Sequence, residues 1–382
     1  MLERNIYSEE HEIFRDAFKK FIEKEVLPHR EEWEKDGMVS REIYKKCGDQ
    51  GFLCPWVDEK YGGSGADFYY SAVIAEEIAR AGESGFAINL HSDIVVPYIE
   101  SFGNEEQKMK WLPGCVSGDH ITAVAMTEPN TGSDLAAMRA TAKRDGDEWV
   151  INGQKTFITN GWIHDLLVVA CRTESAKGEG HGGFSLFVVE EGTPGYTKLR
   201  KLDKIGMKAQ DTSELLFEDC RIPASNILGE EGKGFYYLME KLQQERLMVA
   251  IGSVAAAEAA LDMTIDYARE RTAFGRPLTK FQALRFKMVE MATEIELGRA
   301  FTDRLVQAHA DGKEIVKETC MAKWWCTEML KRCVDEGLQI HGGFGYMMEY
   351  PIAKAYLDAR VQTIYAGTTE IMKEIVGRGM GL

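Results

Sequence analysis

Leu238, Leu242, Glu245 and Val249 recur at i, i+4, i+7 and i+11, the phase of a core-facing helical stripe, and one of them is a carboxylate. The chain has 61 acidic residues, and Glu is rarely buried without a partner. Held in an apolar phase, Glu245 loses hydration, and its pKa rises toward a value suited to accepting a proton. The chemistry implied is general-base removal of a weakly acidic proton in a dry cavity. Elsewhere Met126-Thr127-Glu-Pro-Asn-Thr-Gly132-Ser133-Asp134 offers hydroxyls and exposed peptide N–H groups to ligand oxygens, and Ser133-Asp134 also suits a helix cap. Arg271, near a helix end, suits the helix dipole as well as an anion. Gly342-Gly343 permits close backbone approach to a ligand. His341 has no second ligand nearby and reads as a structural or cofactor-shell histidine.

These residues need three kinds of support. From Ser8, an N-cap followed by acids, Phe14, Ala17, Phe18 and Phe21 keep helical spacing up to Pro28, and helical patterns continue to Trp111. Residues 1–120 therefore form a helical domain. Near Thr122 the texture changes to short β-branched runs such as Leu166-Leu-Val-Val-Ala170 and Phe184-Ser-Leu-Phe-Val-Val189, separated by Gly/Asn turns. Residues 121–232 are expected to form an antiparallel β-domain, with Gly178-Glu-Gly-His-Gly-Gly183 as a hairpin loop. After Gly232-Lys233-Gly234, residues 233–382 are helical again, with breaks near Arg276-Pro277, Asp311-Gly312 and Gly342-Gly343.

Bulk composition narrows the function. A chain of 382 residues implies two or three domains, and its formal charge of −15 disfavours nucleic acid as a partner. Eight cysteines without CxxC or Cys/His ligand spacing fit reduced core thiols and no structural zinc. No signal peptide or membrane span is read from the sequence. A cytoplasmic location is expected, or the mitochondrial matrix for a mature eukaryotic form.

The segment 126–134, Arg271-Thr-Ala-Phe274-Gly275, Gln339-Ile-His-Gly342-Gly343-Phe-Gly-Tyr346 and Tyr365-Ala366-Gly367-Thr368-Thr-Glu370 stand in this order within a helical, β, helical layout. Together they resemble the acyl-CoA dehydrogenase family of flavoproteins over essentially the whole chain. Gln244-Glu-Arg-Leu247 and Tyr350-Pro-Ile-Ala-Lys-Ala-Tyr356 look most like its long-chain and isovaleryl branch. The resemblance implies an α+β multidomain fold: an N-terminal helical domain, a middle antiparallel β-barrel or sandwich, and a C-terminal four-helix bundle. It also implies FAD, and a reaction that takes a proton from Cα and a hydride from Cβ of an acyl-CoA thioester. That reaction requires a carboxylate against Cα, donors on the thioester oxygen and exclusion of water.

The family keeps a catalytic Glu just before the Gly-Thr of the C-terminal motif, and this chain has Ala366 there, which points to the branch whose base is at Glu245. By resemblance, the Ala366 N–H and Gly367 meet the thioester, and Arg246, Ser133, Tyr236 and Gln243 contact acyl-CoA. Met126, Thr127, Gly132, Ser133, Phe157 and Thr159 face the flavin, Phe157 standing where many members have tryptophan. Val124 replaces a tyrosine found in some members, so that contact is not expected. Arg271, Phe274 and Gln282 reach the FAD of a neighbouring subunit, completed by Gln339, Gly342 and Gly343, with Thr368 and Glu370 also near cofactor.

The expected protein is an FAD-dependent acyl-CoA dehydrogenase of fatty-acid β-oxidation that forms trans-2-enoyl-CoA, assembles as a homotetramer (a dimer of dimers) and passes electrons to an electron-transfer flavoprotein. Gly82, Ser84, Gly85 and Ala87 suggest room for medium to long straight acyl chains. The alternatives are a same-fold oxidase using O2, an isovaleryl-type enzyme, and a non-enzymatic flavin-binding relative, against which Glu245 speaks.

Overall fold

The computed structural model describes residues 4–173 and 183–382. Its first helix, α1 (Glu9–Phe21), starts on Ser8, whose hydroxyl accepts the His11 N–H while the His11 ring accepts the Ser8 N–H, closing a capping box. Then follow α2 (Arg30–Asp36), α3 (Arg41–Asp49), α4 (Phe68–Ala81), a π-helical turn at Leu90–Val95, α5 (Val96–Phe102) and α6 (Glu105–Ser117). Pro97 lies in the first turn of α5 and has no N–H to give to the carbonyl four residues back. That carbonyl, on Asp93, instead accepts the Gln244 side-chain amide at 2.7 Å, which ties the π turn to the helix carrying Glu245.

The sheet contains β1 (Thr122–Ala125), β2 (Thr141–Asp145), β3 (Glu148–Thr159), β4 (Leu166–Arg172), β5 (Phe184–Glu190), β6 (Tyr196–Lys201), β7 (Thr212–Pro223) and β8 (Ile227–Leu228). Their order is β6-β7-β3-β2-β4-β5-β8, with β1 also on β4. The expectation of an antiparallel domain needs one correction, because β1 and the end of β2 pair with β4 in parallel. β2 and β3 form an antiparallel hairpin between β1 and β4, so the chain re-enters the sheet alongside β1 and in its direction. The loop read at 178–183 falls largely on residues outside those described; the strands flanking it, β4 and β5, pair antiparallel.

β4 is apolar on both faces because both are buried. Leu166, Val168 and Ala170 pack against the N-terminal helices, while Leu167, Val169 and Cys171 face a separate core inside the sheet. β1, β2, β3, β5 and β7 all contribute to that inner core, so the sheet curls around it in barrel fashion.

The C-terminal region is dominated by α7 (Gly234–Glu270), then a small hairpin of β9 (Thr272–Ala273) and β10 (Arg276–Pro277), α8 (Gln282–Ala310) and α9 (Val316–His341). Two short helices, α10 (Pro351–Ala359) and α11 (Thr369–Gly379), pack on α9, so the fourth position of the bundle is split. Among the described residues α7 alone is long and apolar enough to cross a membrane, but most of its apolar window is buried against the rest of the protein. It is the central core helix.

Candidate active site

A cavity of about 890 Å3 opens where the three regions meet. Leu242, Glu245, Val249, Gly252, Ala256, Ala259 and Met263 line it from one face of α7, at spacings of three and four residues. At roughly 1.5 Å per residue that face runs for about 30 Å. Ala75, Ile78 and Ala79 of α4 line it as well.

Glu245 lies in this wall and is buried. Burial pushes its carboxyl up to about 7, against the opposing pull of a hydrogen bond from Tyr98 (2.8 Å to Oε1) and of the Arg246 charge. Arg246 is also buried in the wall; one guanidinium nitrogen donates to Cys320 Sγ at 3.4 Å, and its Nε has no hydrogen-bond partner. Lys323 on α9, fully buried, donates to the Gly367 carbonyl at 2.6 Å. Burial, with the nearby Arg246 charge, lowers its pKa to about 8.

The turn at Ala366-Gly367 also lines the cavity, with both residues left-handed (φ 51° and 93°). An alanine held there is strained, and the Lys323 bond to the next carbonyl is one restraint that keeps it so. Left-handed backbone at a cavity wall exposes peptide N–H groups, as an oxyanion site needs.

On the sheet side the cavity meets Met126, Thr127, Gly132, Ser133, Phe157 and Thr159. A β-bulge between Lys155 and Ile158 takes Phe157 to φ 59° and throws its ring out of the β-domain core, leaving it 68% exposed on the cavity wall. The buried Lys155–Glu128 ion pair (2.9 Å) fastens the 126–134 loop from beneath, Lys155 also donating to the Met126 carbonyl and Glu128 accepting from the Arg139 and Ala140 N–H groups. The sequence reading missed this pair, although Glu128 lies inside a motif it singled out and Lys155 opens the segment, residues 155–161, that the resemblance sets against the flavin ring. The suggested cap at Ser133-Asp134 is absent: no side chain caps the short helical turn Leu135–Ala137. An aromatic ring presented to a cavity beside a loop that brings the Thr127 and Ser133 hydroxyls to the same wall fits a planar cofactor with many oxygen atoms.

Several expected contacts lie elsewhere. Gln243 is engaged by the α8–α9 connection: its amide donates to His309 and the Lys313 carbonyl and accepts the Ile315 N–H, so it faces away from the cavity it was assigned to. Tyr236 is 60% exposed and outside the cavity wall. Thr368 caps α11, its hydroxyl accepting the Ile371 N–H, and Glu370 is an exposed first-turn acid; neither lines the cavity. Of the small residues following α4, Gly82, Ser84 and Ala87 do line the cavity, Gly82 in a left-handed cap, whereas Gly85 does not, and a Cβ there would meet Ala209 at 2.4 Å. Ala75 and Ala79 of α4 and Gly252, Ala256 and Ala259 of α7 widen the cavity further.

Arg271, Phe274, Gln282, Gln339, Gly342 and Gly343 form a separate, exposed group. The Arg271 guanidinium lies 5.3 Å over the Phe344 ring, which brings the two motifs together, and Phe274 is left-handed and 95% exposed. His341 is structural: buried, its Nδ1–H donating to the Gly337 carbonyl (2.7 Å) and its ring stacked on Tyr267. Among the described residues no His, Cys, Asp and Glu cluster has metal-binding geometry.

A buried carboxylate with a raised pKa, a buried arginine beside it and a left-handed turn, around a cavity between a sheet and a helical bundle, have the chemistry to take a proton from an activated acyl group. Family models for the N-terminal, middle and C-terminal domains of acyl-CoA dehydrogenase match residues 8–119, 123–220 and 232–381. The chain belongs to the acyl-CoA dehydrogenase family, whose cofactor is FAD. The mitochondrial long-chain specific acyl-CoA dehydrogenase of Sus scrofa is 50% identical over 98% of this chain and 87% of its own length. The mitochondrial isovaleryl-CoA dehydrogenase of Pongo abelii is 37% identical, over 98% and 89%. The crystal structure of an acyl-CoA dehydrogenase from Geobacillus kaustophilus superposes with a TM-score of 0.98 at 58% identity, covering 100% of both chains.

Proposed function

We propose that this flavin-dependent acyl-CoA dehydrogenase uses Glu245 as its general base and acts on medium to long straight-chain acyl-CoA thioesters. The observation that carries the first part is a buried carboxylate with its pKa near 7 in the cavity wall, so that at neutral pH it is partly ionised and basic enough to accept an α-proton. The Ala366 N–H, on its left-handed turn, donates to the thioester oxygen as negative charge develops there. Arg246 stabilises the ionised Glu245 from the next position on α7. Bound FAD supplies the hydride acceptor. The chain-length reading is supported by the long, small-residue face of α7 and α4 and by likeness to long-chain enzymes.

Arg271, Phe274, Gln282, Gln339, Gly342 and Gly343 are proposed to reach the cofactor of a second copy within a homotetramer, and an electron-transfer flavoprotein is the proposed acceptor. Thr127, Ser133, Phe157 and Thr159 are proposed to hold the flavin of their own chain.

The test is Glu245→Gln, which keeps shape and removes basicity. Flavin reduction by acyl-CoA in anaerobic stopped-flow is expected to slow by about 10²–10⁴-fold while FAD stays bound. Near-normal reduction in that variant would exclude Glu245 as the base. Turnover confined to isovaleryl-CoA or isobutyryl-CoA would overturn the chain-length assignment.

A further inference from the structure

We infer that Tyr98 is a positioning residue for the base, its buried hydroxyl holding one oxygen of Glu245 so that the other faces the cavity; this rests on Glu245 being that base. Tyr98 lies on α5, is fully buried and is not part of the cavity wall, whereas Glu245 is. The phenol therefore reaches the carboxylate from behind, without occupying space the substrate needs.

α5 is fixed to α7 on both sides of this contact. Before it, the Asp93 carbonyl freed by Pro97 accepts the Gln244 amide, one residue from the base. After it, Phe102 stacks on Tyr237 of α7 with ring centroids 4.0 Å apart. The hydroxyl is thus presented by a braced helix, which is what orienting a flexible carboxylate demands.

The same bond favours the ionised carboxylate, because a phenol donates more strongly to a charged oxygen than to a carboxylic acid. The other groups around it are few. From α7, Arg246 acts in the same direction; from α9, Lys323 and Cys320 lie around Arg246; and from the π turn, Asp93 is buried, with burial raising its own pKa to about 6. The hydrogen bond from Tyr98 is the side-chain bond to the carboxylate itself, so its removal is separable from those charges.

The experiment compares wild-type holoenzyme, Tyr98→Phe and Glu245→Gln by anaerobic stopped-flow flavin reduction with lauroyl-CoA across pH. For Tyr98→Phe the acid limb of the rate is expected to move up by about one to two pH units, with FAD content and lauroyl-CoA binding unchanged. A variant that only loosened packing would lower the rate without moving the limb. If Glu245→Gln is inactive and Tyr98→Phe leaves both rate and limb unmoved, the role of Tyr98 is refuted while the base assignment stands. If Glu245→Gln remains active, the base assignment itself fails. Should Tyr98→Phe not fold, 3-fluorotyrosine at position 98 keeps the shape and strengthens the donor. It is then expected to shift the limb down, and an unmoved limb refutes the proposal.

Discussion

The cavity wall and the exposed ridge around Arg271 and Gln339 follow opposite rules. Around Glu245 the polar groups are buried beside named neighbours: Glu245 with Tyr98, Arg246 with Cys320, and Lys323 behind the wall with the Gly367 carbonyl. On the ridge, Arg271, Phe274, Gln282, Gln339, Gly342 and Gly343 are exposed, with Phe274 held left-handed at 95% exposure. Strain and a large exposed ring persist when something else covers them. Phe157 in the wall is likewise left-handed and 68% exposed, toward the cavity where the flavin is proposed to cover it; the ridge is proposed to be covered by a second copy of the chain.

The largest effect that separates the two is expected from Arg271→Ala. Loss of the cationic contact proposed to reach the cofactor of a second copy should weaken FAD retention by about 10- to 100-fold and, in the same variant, shift the protein toward smaller assemblies. Flavin absorbance and sedimentation measured together check this, and a monomer holding FAD normally would break the comparison.

Lys323→Met is expected to act inside the wall only. It removes the restraint on the Gly367 carbonyl and leaves the Ala366 turn less fixed, lowering the flavin-reduction rate by about 10-fold with assembly unchanged. An unchanged rate would mean that the turn is held by other contacts.

A smaller effect concerns stability. Folding raises the Glu245 pKa from 4.5 to about 7, so the folded state favours the protonated acid. That contribution is fully present below about pH 4.5 and is lost as pH rises through about 7. The melting temperature of Glu245→Gln relative to wild type should therefore increase from pH 5 to pH 8, by an amount equivalent to at most about 3 kcal/mol. A pH-independent difference would contradict the burial of the charge.

What was legible in the sequence divides along physical lines. Glu245 was visible because a carboxylate breaks a 3.6-residue apolar period, and the N-cap at Ser8 because caps are local. Tyr98, Lys155 and Lys323 were not. Their importance comes from partners 147, 27 and 44 residues away, which local pattern does not reveal even for Lys155, two residues from Phe157. Gln243 shows the converse error: one residue from the stripe, its direction is set by a loop between α8 and α9 that periodicity does not describe. The parallel pairing of β1 with β4 is likewise a matter of topology, since strand composition is the same whichever way the chain enters.

The π-helical turn at Leu90–Val95 makes the alignment of Tyr98 a matter of counting. A π turn contains one residue more than an α turn, and each helical residue advances the side-chain direction by about 100°. Deleting one residue there, without touching α5 or α7, would rotate the phenol off Glu245 while leaving its surroundings chemically the same. An insertion or deletion in this turn, which also carries the wall residues Leu90 and Ile94, would therefore retune or silence the base by moving Tyr98 while every wall residue of α7 stays as it is.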